Sequence, residues 1–376
     1  MQRRYFLEAG VAGGALMILG PTLNACAAAT QARPVHSPAH DTPLLQVLTY
    51  ASLAPSSHNT QPWRVRLLGQ DTADLLIDES RLLTEVDPGG RQAVLSHGAF
   101  LEAARQAASS LGHHCHVDLL PSGAPDSPLA RIRLDPSDAS PKDDALTLLR
   151  LRQTNKRAFE DRPIAPGDLR HVLEQVGEPG VAVRAIVEPR QRTALAALCR
   201  DAMQIEVRSP ARNRELSRWF RLGSAERGQA EDGFGLGQSG VTGFKRWVAE
   251  TFAISRDDIA APDSGFSKTA VEMTYDQATS AQAFVVLATR GNDRRSQLRA
   301  GAAYLRLHLA ATRLGIQVHP LSQATQEYAD MTALRHRLQV MAASPTETVQ
   351  MLLRLGYAAP VEYTPRRRVA SLMLNG

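Results

Sequence analysis

Apolar residues recur along the chain with two periods, and their order predicts an α+β protein. Leu44, Leu45, Leu48 and Ala51 keep helical spacing behind a capping residue at Asp41 or Thr42, with Pro43 in the first turn and Pro55 beyond the end. WRVRLLG (63–69) and ADLLIDES (73–80) alternate as strands. An alanine-rich helix is expected over Arg91–Leu111, followed by strands at CHVDLL and ARIRL. Farther on, a helix is expected near 193–207. AFVVLATRG (283–291) reads as a buried strand before a second alanine-rich helix, and QMLLRLGYAAP (350–360) as another after it.

The two alanine-rich helices align without a gap. Gly98 matches Gly301, and with it Ala99 matches Ala302, Ala107 Ala310, Ala108 Ala311, Leu111 Leu314 and Gly112 Gly315. Helices rich in alanine resemble one another, and glycine commonly ends them because it tolerates the left-handed cap. The richer reading is a duplication, with two related halves meeting along these helices as a two-fold dimer does. Between the halves' regular elements, about 208–280 forms a long insertion. Trp219, Phe220, Phe234, Phe244 and Trp247 mark it as a lid that packs on something. Its Gly235, Gly237 and Gly240 spell G-x-G-x-x-G, but no hydrophobic strand precedes them, so a flexible loop is expected rather than a dinucleotide site.

Composition narrows the classes. A chain of 376 residues with 43% apolar content can bury one large or two medium cores. Its formal charge of +5 comes from scattered arginines, which favours small anions such as phosphates and not nucleic acid. Residues 1–29 read as an export signal: Arg3 and Arg4, then an apolar stretch below the ~18 residues that span a bilayer, then small residues. RRYFL resembles the twin-arginine signal, and LNAC (23–26) resembles a lipobox, with cleavage among the following alanines as the alternative to a lipid anchor at Cys26. An exported protein is expected, periplasmic or anchored on the outer side of the cytoplasmic membrane. A spacer (30–42) leads to an N-terminal half (43–145) and a C-terminal half (146–376). Cys115 and Cys199 lack C-x-x-C spacing, and GHHCH (112–116) alternates as a strand would, without a second ligand cluster, so no metal is expected.

Two stretches carry candidate chemistry. APSSHNTQPW (54–63) sits between an apolar helix and an aromatic strand. A hydrolytic serine is disfavoured there, since Ser56 or Ser57 adjoins His58 too closely for a facing pair and no G-x-S-x-G elbow occurs. In LRLRQTNKRAFEDRP (149–163), Arg152, Thr154 and Lys156 occupy alternate positions, so they either converge on one anion or form a solvated basic turn. TPRRRV (364–369) adds three arginines after the last strand.

These motifs together resemble the nitroreductase family of flavin-binding oxidoreductases. Their order, with DPGGRQAVLSHGAFLEAA (87–104), HPLSQ (319–323) and LGYAAPVEYTPRRR (355–368), is closest to the Acg-type branch, in which one chain holds two nitroreductase-like halves and a lid. The resemblance implies an intramolecular pseudo-dimer binding FMN between its halves. It places Arg152, Thr154 and Lys156, with Arg366 or Arg368, on the phosphate. Pro55, Ser56, Ser57 and Asn59 would come from the other half to line the isoalloxazine, with Gln323 at its edge. Only one of each motif occurs, which implies one FMN per chain. No catalytic residue is implied, because the flavin carries the chemistry. The expected activity is hydride or electron transfer from an unidentified donor to quinone- or nitroaromatic-like acceptors. The alternative is a protein that sequesters or stores FMN beneath the lid with little turnover.

Overall fold

The computed structural model describes residues 32–35, 42–122, 127–138 and 144–374. The signal-like segment 1–29 with Cys26, and the side chain of Phe244, lie outside the described residues. In chain order, α1 (Pro43–Ala51) leads to strands β1 (Trp63–Leu67) and β2 (Thr72–Ile77), then to the long helix α2 (Arg91–Ser110), β3 (His113–Leu119) and β4 (Ala130–Pro136). Next come α3 (Ala145–Leu151), α4 (Pro166–Glu174), β5 (Val181–Ile186) and α5 (Pro189–Val207). The insertion holds α6 (Pro210–Trp219), α7 (Gly223–Gln229), α8 (Gly243–Val248), α9 (Arg256–Ala260) and α10 (Gly265–Thr279). The chain continues through β6 (Ala283–Thr289), α11 (Arg294–Arg313), β7 (Gln317–Pro320), α12 (Thr332–Ala342), β8 (Thr348–Gly356) and α13 (Val369–Leu372).

Two antiparallel sheets repeat one topology. The first runs β1-β2-β4-β3 and the second β5-β6-β8-β7, and each carries its long helix between the second and third strands of its set. The α+β fold in tandem halves expected from the repeat is therefore present in the strand order itself. α2 and α11 end alike, with left-handed glycines at Gly112 (φ +77°) and Gly315 (φ +69°) past Leu111 and Leu314. The two helices pack face to face, and glycine is required where they cross. A β-carbon on Gly98 would lie 2.0 Å from the Leu298 carbonyl oxygen, and one on Gly301 would lie 1.9 Å from that of Leu95.

The halves interlock. Leu298, Leu305 and Leu309 of α11, Leu148 and Leu149 of α3, and Leu372 of α13 all join the core built on the first sheet. Beyond α13, Met373 bridges Val65 in parallel, and the Leu374 amide donates to the Val65 carbonyl at 2.8 Å, so the C-terminal segment extends the edge of the first sheet. Thr154 in turn bridges Val318 at the edge of the second.

α1 begins as its pattern dictates, with Thr42 Oγ1 accepting from the Leu45 amide at 3.4 Å. Its inner face differs by one residue from the expected one: Val47 is buried with Leu44, Leu48 and Ala51, while Leu45 is half-buried. Burying a Leu or Val contributes about 1.5–3 kcal/mol, enough to fix the turn that follows. The glycines of the G-x-G-x-x-G string lie in and beside a local turn. Leu236–Ser239 is a short helical turn, and a β-carbon on Gly237 would strike Glu362.

Candidate functional site

The polar turn after α1 is held in an uncommon backbone conformation. His58, Asn59 and Gln61 have φ of +47°, +53° and +52°, a region that costs a non-glycine residue about 1–3 kcal/mol. Side-chain bonds hold it there. Ser56 Oγ accepts from the Gln61 amide at 3.0 Å. Asn59 Nδ2 donates to the carbonyls of Gly233 (2.9 Å) and Pro365 (3.0 Å), while its Oδ1 accepts from Arg366 at 2.7 Å. Gln61 donates to the Glu231 carbonyl at 2.8 Å and accepts from the Arg367 amide at 2.8 Å. The turn is thereby fastened to both the insertion and the C-terminal segment.

A cleft between the halves opens on this turn. Pro55, Ser56, Ser57 and Asn59 line it from the first half, and Arg152, Thr154, Lys156, Gln323 and Arg366 from the second. Two arginines converge on one atom: Arg152 donates to the Leu53 carbonyl at 3.1 Å and Arg366 to the same oxygen at 3.3 Å. Arg152 and Arg33 are buried and Arg366 is half-buried, and each holds a buried donor that nothing satisfies: Arg152 Nε and Nη1, Arg366 Nε, and Arg33 Nε and Nη1. Burial pushes all three guanidinium pKa values down, that of Arg33 to about 9, and repulsion by the Arg152 charge adds to the effect at Arg33 and Arg366. A guanidinium keeps its proton at neutral pH, so the shift measures a desolvation cost. Ten described residues have an orphaned buried side-chain nitrogen or oxygen, and five of them line this cleft: Arg33, His58, Gln92, Arg152 and Arg366. Of the lining residues Glu362 is the one carboxylate, and it pairs with Arg246. The cleft therefore concentrates positive charge and unmade hydrogen bonds that an anion would complete.

Lys156 belongs to a different end of the cleft. Its ammonium lies 4.0 Å from the centre of the Phe234 ring, and the charges that act on it are Glu206 and Arg354, not the three arginines. Burial lowers its pKa to about 8. His58 packs on the same ring at 5.4 Å and is held neutral, its pKa pushed to about 3 by burial and by Lys156. Gln323 reaches this end, with Nε2 donating to Glu206 at 3.4 Å. Thr154 stands with the arginines: it shares a hydrogen bond with Tyr304, whose hydroxyl feels the charge of Arg152. Thus the R-x-T-x-K alternation delivers Arg152 and Thr154 to one end and Lys156 to the other.

Arg368 stands outside the cleft. Its side chain is 82% exposed and pairs with Glu231 at 3.2 Å, because the extended path ends at Arg368, the residue that caps α13. Arg367 points inward and braces the turn from behind, donating to the carbonyls of Gln61 (3.0 Å) and Trp63 (3.3 Å) and pairing with Asp78.

Sequence reasoning missed Arg33, Gln92, Tyr304 and Phe234 as lining residues. Gln92 lay in a motif already singled out, and Phe234 among the aromatics of the insertion. Arg33 sat in a polar spacer with no periodicity to expose it.

The insertion closes over one end. Arg81 pairs with Asp232 at 2.8 Å, the Glu215 carboxylate accepts from the Glu85 and Val86 amides at 3.1 and 3.0 Å, and the Gln238 carbonyl accepts from the Lys156 amide at 2.9 Å. Phe220 packs edge-on against Phe234 behind the cleft. Elsewhere, His116 of the GHHCH stretch bonds Asp135 at 2.7 Å on the outer face of the first sheet, and no group of three or more His, Cys, Asp or Glu side chains among the described residues is arranged to hold a metal. Burial raises both thiols, Cys115 and Cys199, to about 12, as inert apolar cysteines require.

No family model matches the chain. It is 29% identical over 334 residues, covering 87% of its length and 90% of the relative, to a Mycobacterium tuberculosis protein named putative NAD(P)H nitroreductase Rv3131. It is 28% identical over 327 residues, 85% of this chain and 91% of the relative, to the same organism's putative NAD(P)H nitroreductase acg. Among solved structures, the FMN-dependent nitroreductase NfnB of Mycobacterium smegmatis, in complex with NADPH, aligns with a TM-score of 0.36 and 18% identity, covering 57% of this chain and 87% of that one. The chain thus has nitroreductase-like, Acg-type relatives along most of its length.

Proposed function

We propose that this chain is an FMN-dependent oxidoreductase of nitroreductase type that binds one FMN between its halves. The observation that supports this most directly is the cluster of arginines with buried, unmade hydrogen bonds, set in a cleft whose other end holds the Phe234 ring, a neutral His58 and the Lys156 ammonium. A phosphate monoester suits the first end and a flat heteroaromatic ring the second. Arg152, Thr154 and Arg366 would hold the phosphate. Ser56, Ser57, His58 and Gln323 would border the ring, with Lys156 at that end. Pro55 and Asn59 shape the turn, and Asn59, tied on three sides, positions Arg366.

Bound FMN supplies hydride and single-electron chemistry at its isoalloxazine. The chain's own part is to orient the ring, exclude water behind Phe220 and Phe234, and present a half-buried cation at Lys156. Flat electron acceptors of the quinone or nitroaromatic class fit such a cleft. Two complementary half-sites, one Pro-Ser-Ser-x-Asn and one R-x-T-x-K, support one flavin per chain. The signal-like residues 1–29 extend the proposal to an exported protein, through a twin-arginine route and with acylation at Cys26 as an alternative to cleavage, whose electron donor differs from cytoplasmic NAD(P)H.

A second reading draws on the staples across the insertion at Asn59, Gln61, Arg81 and Glu215: a closed lid suits storage of FMN with slow turnover. Stopped-flow reduction separates the two. Rapid reduction of the FMN-loaded protein by NADPH, followed by reoxidation with a quinone, supports the oxidoreductase. Resistance to NADPH, together with failure of the dithionite-reduced flavin to pass electrons to a quinone, supports storage. Protein that is colourless as purified and takes up no FMN overturns both.

A further inference from the structure

We propose that Arg33, from the segment preceding the first half, is a further phosphate ligand and sets the preference for a phosphorylated flavin over an unphosphorylated one. The proposal rests on the FMN reading of the cleft but assigns a residue outside both motifs that suggested it.

Three observations carry it. Arg33 is only 6% exposed, and its Nε and Nη1 have no partner among the described residues. It lines the same cleft as Arg152 and Arg366 and lies close enough to oppose their charges. Its position is built and not incidental: the Arg33 amide donates to the Arg150 carbonyl at 3.2 Å, Arg150 Nε donates back to the Arg33 carbonyl at 2.8 Å, and the guanidinium lies 4.8 Å from the centre of the Tyr363 ring. A neighbouring carboxylate would explain a buried arginine. None of the described residues pairs with Arg33, Arg152 or Arg366 in that way, so three guanidiniums share a site that is incomplete without an anion. A phosphate monoester carries up to two negative charges and three terminal oxygens, and guanidinium forks match that geometry.

The consequence reaches beyond affinity. Arg33 is joined to the rest of the site by its backbone bonds to the carbonyl and side chain of Arg150, so an anion bound there fastens the chain ahead of α1 to the joint between the halves. Riboflavin, lacking the phosphate, would leave that fastening unmade.

The test uses the full chain, with wild type compared against Arg33→Ala and Arg33→Lys. Flavin titrations should show FMN binding weakened about tenfold or more in Arg33→Ala, the loss of one charge-assisted bond, with riboflavin unaffected and Arg33→Lys intermediate. Thermal unfolding supplies a reading that needs no flavin. Without ligand, Arg33→Ala should melt at or above wild type, because an uncompensated charge is gone; with inorganic phosphate or pyrophosphate, wild type should gain more than the variant. An unchanged FMN-to-riboflavin ratio together with equal phosphate stabilisation overturns the role of Arg33. Wild type that ignores FMN but gains from phosphate through Arg33 overturns the flavin reading alone, and indifference to both overturns the two together.

Discussion

Gly98 and Gly301 face one another at the crossing of α2 and α11, each standing against the carbonyl oxygen of the other helix's leucine three residues earlier, Leu298 for Gly98 and Leu95 for Gly301. Both pairs differ by the same shift along the chain, 301 − 98 = 203 and 298 − 95 = 203. The contact is self-complementary under that shift, as an isologous dimer contact is under its two-fold axis. It joins a repeat in the sequence to the seam that holds the molecule together.

Alanine at either glycine should be destabilising. The added carbon would meet backbone, which cannot rotate away, so the loss should reach the upper end of the about 1 to 3 kcal/mol typical of overpacking. Urea unfolding measures it. Gly167→Ala, at a helical position with nothing within 4 Å, is the control and should be neutral or slightly stabilising.

Arg366→Ala and Arg368→Ala should behave differently although the residues are two apart. Arg366 is half-buried and bonded to Asn59 and Leu53, whereas Arg368 faces solvent with Glu231. FMN affinity, followed by quenching of flavin fluorescence, should drop about tenfold or more for the first and stay within twofold for the second. Equal losses would place the phosphate elsewhere.

Lys156 should report on the ring and not on the phosphate. Lys156→Met is expected to weaken FMN and riboflavin alike, and Arg152→Ala to weaken FMN alone. The same lysine makes ligand-free stability depend on pH. Its folded pKa of about 8 lies below the ordinary lysine value of 10.5, so the unfolded chain binds the proton more tightly. The penalty is complete below about pH 8 and disappears as pH rises toward 10.5. Lys156→Met should thus exceed wild type in stability at pH 7 by on the order of 3 kcal/mol, with the gap closing across that window. A constant gap from pH 7 to 10 contradicts the assignment.

Asn59→Asp separates the two sides of the turn. An aspartate still accepts from Arg366 but no longer donates to the Gly233 and Pro365 carbonyls. Limited proteolysis should then cut faster within 220–260, while Arg366 keeps its partner. Unaltered cleavage would mean that the insertion is held by its other staples, Arg81–Asp232 and Glu215.

Much of this was legible in the sequence where patterns are strong. The alanine-rich helices, the alternating first sheet and the turn at 54–63 follow from period and punctuation alone. β5 escaped because Val181–Ile186 is half-buried along nearly its whole length and so lacks alternation. β7 is four residues long and lies inside a stretch read for its chemistry. The division of R-x-T-x-K between two ends of the cleft was not legible, since alternate spacing indicates one side of a strand but not how far apart long side chains end. Arg368 matches Arg366 in type and spacing, and only the start of α13 at Arg368 sets it outside the cleft. Arg33 illustrates the general limit: nothing local marks a residue whose meaning comes from partners more than a hundred positions away.

The arginine cluster draws on positions 33, 152 and 366, and the C-terminal segment that carries the last of them also closes the edge of the first sheet at Val65. Contacts of such long sequence separation form late, because the loop closures they require are unrewarded until the whole is in place. A chain with only one half collapsed has neither a completed sheet edge nor an anion site. Ligand capture therefore selects the finished topology: phosphate would bind nothing earlier on the folding route, and its whole binding energy would deepen the native state.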